Sequence, residues 1–341
     1  MNADPAPSAA PLRVTGYTVE RECWAYRTPL VYARGTDRTA ELIVVTLQGE
    51  HQAGRGESCP IPHHGESVEG VRAQVNAICQ ALVDGSDWHE LHDRLPAGAA
   101  RNAVDCAIWD LRARTAGVPV STLMGLPAPE PVSTVYTIGL AAPDEMARAA
   151  AAAAALHDVV KIKLGDGADD LARLRAIRAM GPETRLIADA NEGWTASQLV
   201  SALPELAALG VEMLEQPLPA GGDLALASID RIIPIGADES CHVEADLPGL
   251  VGRYDLVNIK LDKSGGLTEA MRLQARAEAL GFATMVGCMC GTSLGMAPAL
   301  LVAQRCRYVD LDAPLLLGLD RTPSLAWQGQ RLSPVRALWG G

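Results

Sequence analysis

Short apolar runs recur along most of this chain, separated by stretches whose apolar residues fall three and four positions apart. That is the pattern of strands alternating with amphipathic helices. The runs are Val132–Gly139, Val159–Leu164, Arg185–Asp189, Val211–Glu215, Ile232–Ala237, Leu256–Lys260, Ala283–Gly287 and Tyr308–Leu311. Between them the spacing predicts helices over Pro143–Leu156, Asp169–Met180, Ala196–Leu209, Leu267–Leu280 and Thr292–Ala303. The Ala149–Ala155 run has low complexity, but alanine is the strongest helix former, so it belongs to the first of these helices. Eight runs in this rhythm close into a (β/α)₈ barrel. A doubly wound open sheet is the competitor. It is not supported, because no GxGxxG follows the first run and polar residues lie at or beside the ends of most of them.

The pattern differs before Pro127 and Pro129. There Arg13–Arg21 and Ala40–Leu47 alternate as strands, and Ser67–Val83 and Ala99–Thr115 carry helical spacing, which makes an α+β unit. Residues 1–11 are rich in Ala, Pro and Ser without apolar periodicity and are expected to form a disordered lead-in. The domains expected are therefore 12–128, 129–320 and a C-terminal segment, 321–341.

Composition narrows the function. With 341 residues, 48% of them hydrophobic, the chain can bury a large core. The 29 Lys+Arg against 41 Asp+Glu give a net charge of −12, which argues against a nucleic-acid partner and for small molecules. No run approaches the length of a membrane span, and the N-terminus lacks the basic and apolar regions of a signal peptide, so a cytoplasmic location is expected. The eight cysteines form no CxxC pair and are expected to be reduced thiols.

The chemistry lies at the ends of the strands. Asp189, Glu215 and Asp238 come from three consecutive runs at the face where barrels place their active sites. A single acid after a strand is more often a helix cap. Three in succession form an oxygen-only ligand set that suits Mg²⁺ and leaves coordination positions for water or a substrate carboxylate. In the second run, Lys161 and Lys163 share one face and Ile162 takes the other. Taken alone they could be solvated lysines on an edge strand, but a closed sheet has no edge. Lys260 ends the sixth run, and strands two and six stand opposite each other in an eight-stranded barrel. Mg²⁺ would stabilise the enediolate left when an α-proton departs, and a base on each face would invert the carbon. Holding a lysine neutral at pH 7 costs about 4.6 kcal/mol from its ordinary pKa. Burial, like charge and the cation are expected to lower the Lys161 pKa. Lys163 is assigned the proton transfer at one face and Lys161 an electrostatic role.

These residues resemble a known family. Lys161-Ile-Lys163, Asp189-Ala-Asn191, Glu215-Gln-Pro217, Asp238-Glu239-Ser240 and Asn258-Ile-Lys260-Leu-Asp-Lys263-Ser-Gly-Gly266 look like the ordered signature of the muconate-lactonising subgroup of the enolase superfamily. Leu95–Leu111 and Gly287–Ser293 are similar to the bacterial L-Ala-D/L-Glu epimerases. The resemblance implies an α/β fold: a modified TIM barrel, (β/α)₇β, under an α+β capping domain, with the C-terminal segment returning to the cap. It implies one Mg²⁺ per subunit on Asp189, Glu215 and Asp238, Lys163 and Lys260 as the opposed acid/base pair, and Lys161 on the substrate carboxylate. It also implies a dipeptide substrate from murein peptide breakdown, and leaves a homo-oligomer open.

Asp310-Leu311-Asp312 resembles the DxD motif that holds the dipeptide ammonium in these epimerases; the bland alternative is a pair of surface acids. Thr137 and Met289 are expected near the substrate. Arg34, in the cap loop, is the candidate to neutralise a glutamate side chain, and Arg38 is equally placed by sequence. Cys288-Met289-Cys290-Gly291 departs from related epimerases that carry a cysteine one position later. His63-His64 and the His89/His92 pair have no metal-site spacing and are expected to be solvated. N-Succinylamino acid racemase, o-succinylbenzoate synthase and muconate cycloisomerase share the lysines and acids but have no need of Asp310 and Asp312. A non-catalytic metal-binding barrel would have no need of all three lysines.

Overall fold

The computed structural model describes residues 12–165, 167 and 169–341. The expected lead-in, 1–11, lies outside them. The cap begins with an antiparallel sheet of β1 (Gly16–Tyr32), β2 (Gly35–Gln48) and β3 (Ala53–Ser58), in that order. Against it pack helices Val68–Val83 and Ala99–Ala116. The strand expected at Arg13–Arg21 is displaced and extended. It runs on to Tyr32 as the outer arm of a hairpin, where half-exposed residues blur the alternation.

The third strand, Ala-Gly-Arg-Gly-Glu-Ser, carries no strand pattern at all, and the packing explains why. A Cβ on Gly54 would lie 2.2 Å from the Leu111 backbone N, and one on Gly56 2.0 Å from the Ala103 carbonyl oxygen. The Ala99–Ala116 helix therefore lies directly on bare strand backbone, with Ala103 and Ala107 in the contact. Close approach selected the glycines here and erased the side-chain periodicity that marks a strand.

The second unit starts with β4 (Val132–Ser133) and continues as β5 (Tyr136–Ile138), β6 (Val159–Lys163), β7 (Arg185–Asp189), β8 (Val211–Glu215), β9 (Ile235–Ala237), β10 (Leu256–Lys260), β11 (Ala283–Gly287) and β12 (Tyr308–Val309). β5 to β12 form one parallel sheet in chain order. The sheet closes where Val135 N–H donates to the Val309 carbonyl at 2.8 Å. The run expected as one strand from Val132 is thus two pieces. β4 leaves the barrel and pairs with β14 (Arg331–Ser333), which pairs in turn with β13 (Ala326–Gln328). The fifth strand starts at Ile235 rather than Ile232, and the eighth ends at Val309 rather than Leu311. Helices Pro143–Ala154, Asp170–Met180, Ala196–Ala208, Leu267–Ala279 and Ser293–Ala303 fall where the spacing predicted them, within two residues at either end. Among the described residues no helix is long and apolar enough to cross a membrane.

Alternation along the strands builds the floor of the site. Val159, Ile187, Met213, Leu256, Met285 and Tyr308 form a separate apolar cluster. Two residues further along, on the same strand face, stand Lys161, Asp189, Glu215 and Asn258. The outward residues Val160, Ile162, Leu186, Ala188, Leu214 and Ile259 join the large core beneath the helices. A dry plug therefore carries a polar layer above it.

The C-terminal tail returns to the cap helix. Trp339 Nε1 donates to the Cys106 carbonyl at 3.0 Å, and Gly340 N–H to Asp110 Oδ1 at 2.7 Å. Cap and barrel are also joined by Arg101, whose Nη2 donates to the Ser264 carbonyl at 2.6 Å, and by Asn102, which donates to Asp262 at 2.8 Å.

Gly56→Ala should lower unfolding stability by about 3 kcal/mol, because backbone rather than a movable side chain receives the new methyl. Urea denaturation measures this, and an unchanged midpoint would show that strand and helix can separate freely.

Candidate active site

A cavity of about 540 Å³ occupies the C-terminal mouth of the barrel. The cap roofs it with Tyr32, Arg34 and the Cys59–His64 loop, and the barrel supplies Lys161, Lys163, Asp238, Lys260, Lys263, Asp310 and Asp312. Asp189 and Glu215 lie beneath, fully buried.

Four lysines bind these acids. Lys163 Nζ donates to Asp189 Oδ2 at 2.7 Å and to Asn191 Oδ1 at 2.9 Å. Lys161 Nζ lies 2.8 Å from Asp310 Oδ2, 2.7 Å from Glu215 Oε2 and 3.2 Å from Asp189 Oδ2. Lys260 Nζ donates to Asp238 Oδ2 at 2.6 Å. Lys263 Nζ donates to Asp238 Oδ1 at 2.6 Å, the Cys241 carbonyl at 2.8 Å and the Asn258 carbonyl at 3.1 Å, and also to the Asp238 carbonyl. Asn258 Nδ2 donates to Glu215 Oε1 at 2.6 Å.

Burial alone would push every one of these acids up, and the neighbouring charges decide which of them resist it. Against burial, Lys163 and Lys161 hold the Asp189 carboxyl below its ordinary range, and Lys260 and Lys263 hold Asp238 well below. Glu215 has less help: burial and the Asp189 charge push it up to about 7 despite Lys161. Burial and Asp310 likewise raise Asp312 to about 7. The expectation that Lys161 is depressed is not met. Burial favours its neutral form, but Asp310, Glu215 and Asp189 outweigh burial and raise it well above the ordinary lysine value. Lys260 is raised too, by Asp238 and Glu215 against burial.

A hard divalent cation suits this donor set. All the candidate ligands are carboxylate oxygens from adjacent strands, and Glu215 Oε2, though close to Lys161, has no aligned hydrogen bond. Among the described residues no three Asp, Glu, His or Cys side chains converge on one point as they stand, because each acid is turned toward an ammonium group.

The other sequence candidates divide. Thr137 is buried, and its N–H donates to Asp312 Oδ2 at 2.7 Å; Met289 lines the cavity. Asp310 and Asp312 both line it, from the loop after the short β12 rather than from the strand itself. Asp310 Oδ1 has no hydrogen-bond partner. Arg34 lines the cavity and donates to Glu239 Oε1 at 2.8 Å, whereas the exposed Arg38 does not line it. Three of the four histidines expected to be solvated are not simply so: His63 lines the cavity and pairs with Glu192 Oε2 at 2.7 Å. His64 packs against the tilted ring of His242, centroids 4.4 Å apart, in the cavity wall, where burial and that neighbour push it down to about 3, and His92 is half-buried. His89 is exposed.

Sequence reasoning quoted Lys263 and Asn258 within a motif but gave them no role. A signal was present: the 29 basic residues include four lysines, at 161, 163, 260 and 263, and all four meet at this mouth. Wherever else the chain needs a cation it uses arginine, which cannot give up its proton.

A closed parallel barrel with acids on three successive strand ends and lysines on strands two and six defines a class of barrel enzyme, and comparison gives the family. Residues 14–125 match the family described as mandelate racemase / muconate lactonizing enzyme, N-terminal domain, and residues 145–313 that described as enolase C-terminal domain-like. The chain is 46% identical over 308 residues to an L-Ala-D/L-Glu epimerase of Escherichia coli, covering 90% of this chain and 96% of the relative. It is 43% identical over 303 residues to an N-acetyl-D-glutamate racemase of Pseudoalteromonas, covering 88% and 95%. Among solved structures, an Agrobacterium tumefaciens enolase family member with homology to dipeptide epimerases, bound to sodium and L-Ala-L-Glu, superposes with a TM-score of 0.92 at 48% identity, over 95% of this chain and 99% of that one. A dipeptide epimerase of Enterococcus faecalis complexed with Mg and L-Leu-L-Tyr superposes with a TM-score of 0.87 at 29% identity, over 95% and 98%. The chain belongs to the mandelate racemase / muconate-lactonising enzyme family of the enolase superfamily.

Beside the site, Asp262 accepts from Cys59 N–H at 3.0 Å and Asn102 Nδ2 at 2.8 Å, and burial raises it to about 7. The folded state thus holds its proton up to a higher pH than the unfolded chain does. The stability this contributes is complete below the unfolded carboxyl pKa and disappears as pH rises through about 7. Asp262→Asn keeps the accepting oxygen and cannot ionise, so its thermal midpoint should gain on the parent between pH 5 and about 8. A constant difference over that range would contradict the assignment.

Proposed function

We propose that this protein is an isomerase that epimerises dipeptides of the L-Ala-D/L-Glu type at the α-carbon of the second residue. The observation that carries this is the placement of Lys163 and Lys260. They reach the acidic cluster from strands two and six, one on Asp189 and the other on Asp238, so that each can face one side of a carbon held above it. Relatives named as epimerases and racemases, and neighbours crystallised with dipeptides, support the same reading.

Asp189, Glu215 and Asp238 would hold a single Mg²⁺, which when bound polarises the substrate carboxylate and so acidifies the adjacent α-proton. Lys161 reaches across the acids, where it steadies the substrate carboxylate. Lys163 Nζ and Lys260 Nζ exchange the proton at the α-carbon, one removing it and the other returning it from the far side. Either lysine serves as base only when neutral, and the carboxylates that now raise Lys260 act against that; positive charge added to the acids relieves it. Lys263 and Asn258 keep Asp238 and Glu215 oriented. Asp310 and Asp312 receive the dipeptide ammonium, each charge desolvated only beside its partner. Arg34 faces an acidic second side chain.

One relative acts on N-acetyl-D-glutamate, and that favours a second reading. Asp310 is already paired with Lys161 and Asp312 with the Thr137 N–H, an arrangement that would also suit an uncharged N-acyl group. We further take 12–128 as the cap, 129–320 as the barrel and 321–341 as the returning segment. We also propose a cytoplasmic role in murein peptide breakdown.

In D₂O with Mg²⁺, L-Ala-L-Glu should gain one deuterium at the second α-carbon as the epimer forms; exchange of N-acetylglutamate alone would replace the dipeptide reading with the second one. Lys163→Ala and Lys260→Ala should each lower epimerisation by 10³-fold or more, on the order expected for a lost acid/base group. Full activity in either variant would exclude the two-base scheme. Chelation should abolish turnover and Mg²⁺ restore it.

A further inference from the structure

Behind Asp189 the chain turns through two consecutive non-glycine residues of positive φ, Asn191 (φ 42) and Glu192 (φ 68). Such backbone is costly for a residue with a Cβ and persists where its neighbours hold it. Here Asn191 N–H donates to Asp189 Oδ1 at 2.9 Å, and Glu192 N–H to the Gln216 carbonyl at 2.8 Å. The turn aims the Asn191 amide at Lys163 and the Glu192 carboxylate away from the barrel, toward the cap.

Glu192 meets three other segments. Its Oε2 faces His63 Nε2 at 2.7 Å and Arg34 Nη1 at 3.3 Å, and its Oε1 accepts from Ala220 N–H at 2.7 Å. An ionised carboxylate only accepts, so Nε2 is the protonated nitrogen of His63. The side chain is 13% exposed, well covered for a carboxylate at the edge of a cavity. Arg34 lies in the β1–β2 loop and His63 in the turn after β3, and both line the roof of the cavity. A single barrel carboxylate therefore grips both cap segments that face the substrate, and Ala220 fixes its other oxygen from the loop after β8.

We propose that Glu192 is a positioning residue that fastens these two cap loops over the barrel mouth, and so sets how tightly the second residue of a dipeptide is bound. The inference rests on the dipeptide reading for its substrate and on geometry alone for the clamp. Glu192 does not face the reacting carbon, so its loss loosens binding and spares proton transfer.

The test combines kinetics on L-Ala-L-Glu with amide hydrogen exchange for the parent, Glu192→Ala, Glu192→Gln, His63→Ala and the Glu192→Ala/His63→Ala pair. Glu192→Ala should raise KM about tenfold, the scale of one lost charge-assisted hydrogen bond, with kcat within about twofold. Glu192→Gln, which keeps one accepting oxygen, should fall between it and the parent. The double variant should match Glu192→Ala, since the His63 contact is already gone. Exchange should quicken at residues 33–38 and 60–66 but not in the barrel strands. A fall in kcat at constant KM, multiplying effects in the double variant, or unchanged exchange in both loops would overturn the proposal. If the parent turns over no dipeptide, the functional reading fails, and the exchange comparison still decides the clamp.

Discussion

The mouth of this barrel depends on charges that are buried together. Asp189, Glu215, Asp238, Asp310 and Asp312 are at most 5% exposed, and a lone carboxylate so placed would cost several kcal/mol in lost hydration. The four lysines offset that cost by sharing themselves among the acids: Lys161 reaches three, and Lys263 spends its protons on Asp238 and the carbonyls behind it. The acids nevertheless outnumber the lysines, and the imbalance falls on Glu215 and Asp312, both pushed up to about 7. A site short of positive charge in this way suits a divalent cation at one side and an ammonium-bearing substrate at the other.

Holding such a network requires rigid attachment, and the barrel provides it through period-two alternation. Lys161, Asp189, Glu215 and Asn258 each stand two residues above an apolar residue of the plug, so the same strand that anchors the core aims the chemistry. The outward residues between them are held by the helical layer.

The cap works by different physics. Its sheet meets the Ala99–Ala116 helix at bare glycine backbone, and that helix is tied to the barrel by Arg101, Asn102 and the C-terminal tail. The cap body is thereby fixed while its two loops reach over the mouth. Arg34 and His63 end in hydrogen bonds to barrel residues rather than in a core, so the roof is fastened by polar contacts and not by apolar packing.

The sequence by itself determined the barrel strands and helices to within a few residues, and with them the three acidic strand ends and the lysines of strands two and six. Periodicity and strand ends are local properties of the chain, so they are visible without the fold. What tertiary structure decided is whatever depends on a distant neighbour. The β3 glycines have no meaning without the helix pressed on them, and Val132–Ser133 leaves the barrel because its partner lies some two hundred residues later, at Arg331. Lys161 is raised rather than lowered because Asp310, far along the chain, ends beside it. The contacts that join Glu192 to Arg34 and His63 were equally hidden, since a salt bridge between cap and barrel leaves no pattern in the order of residues.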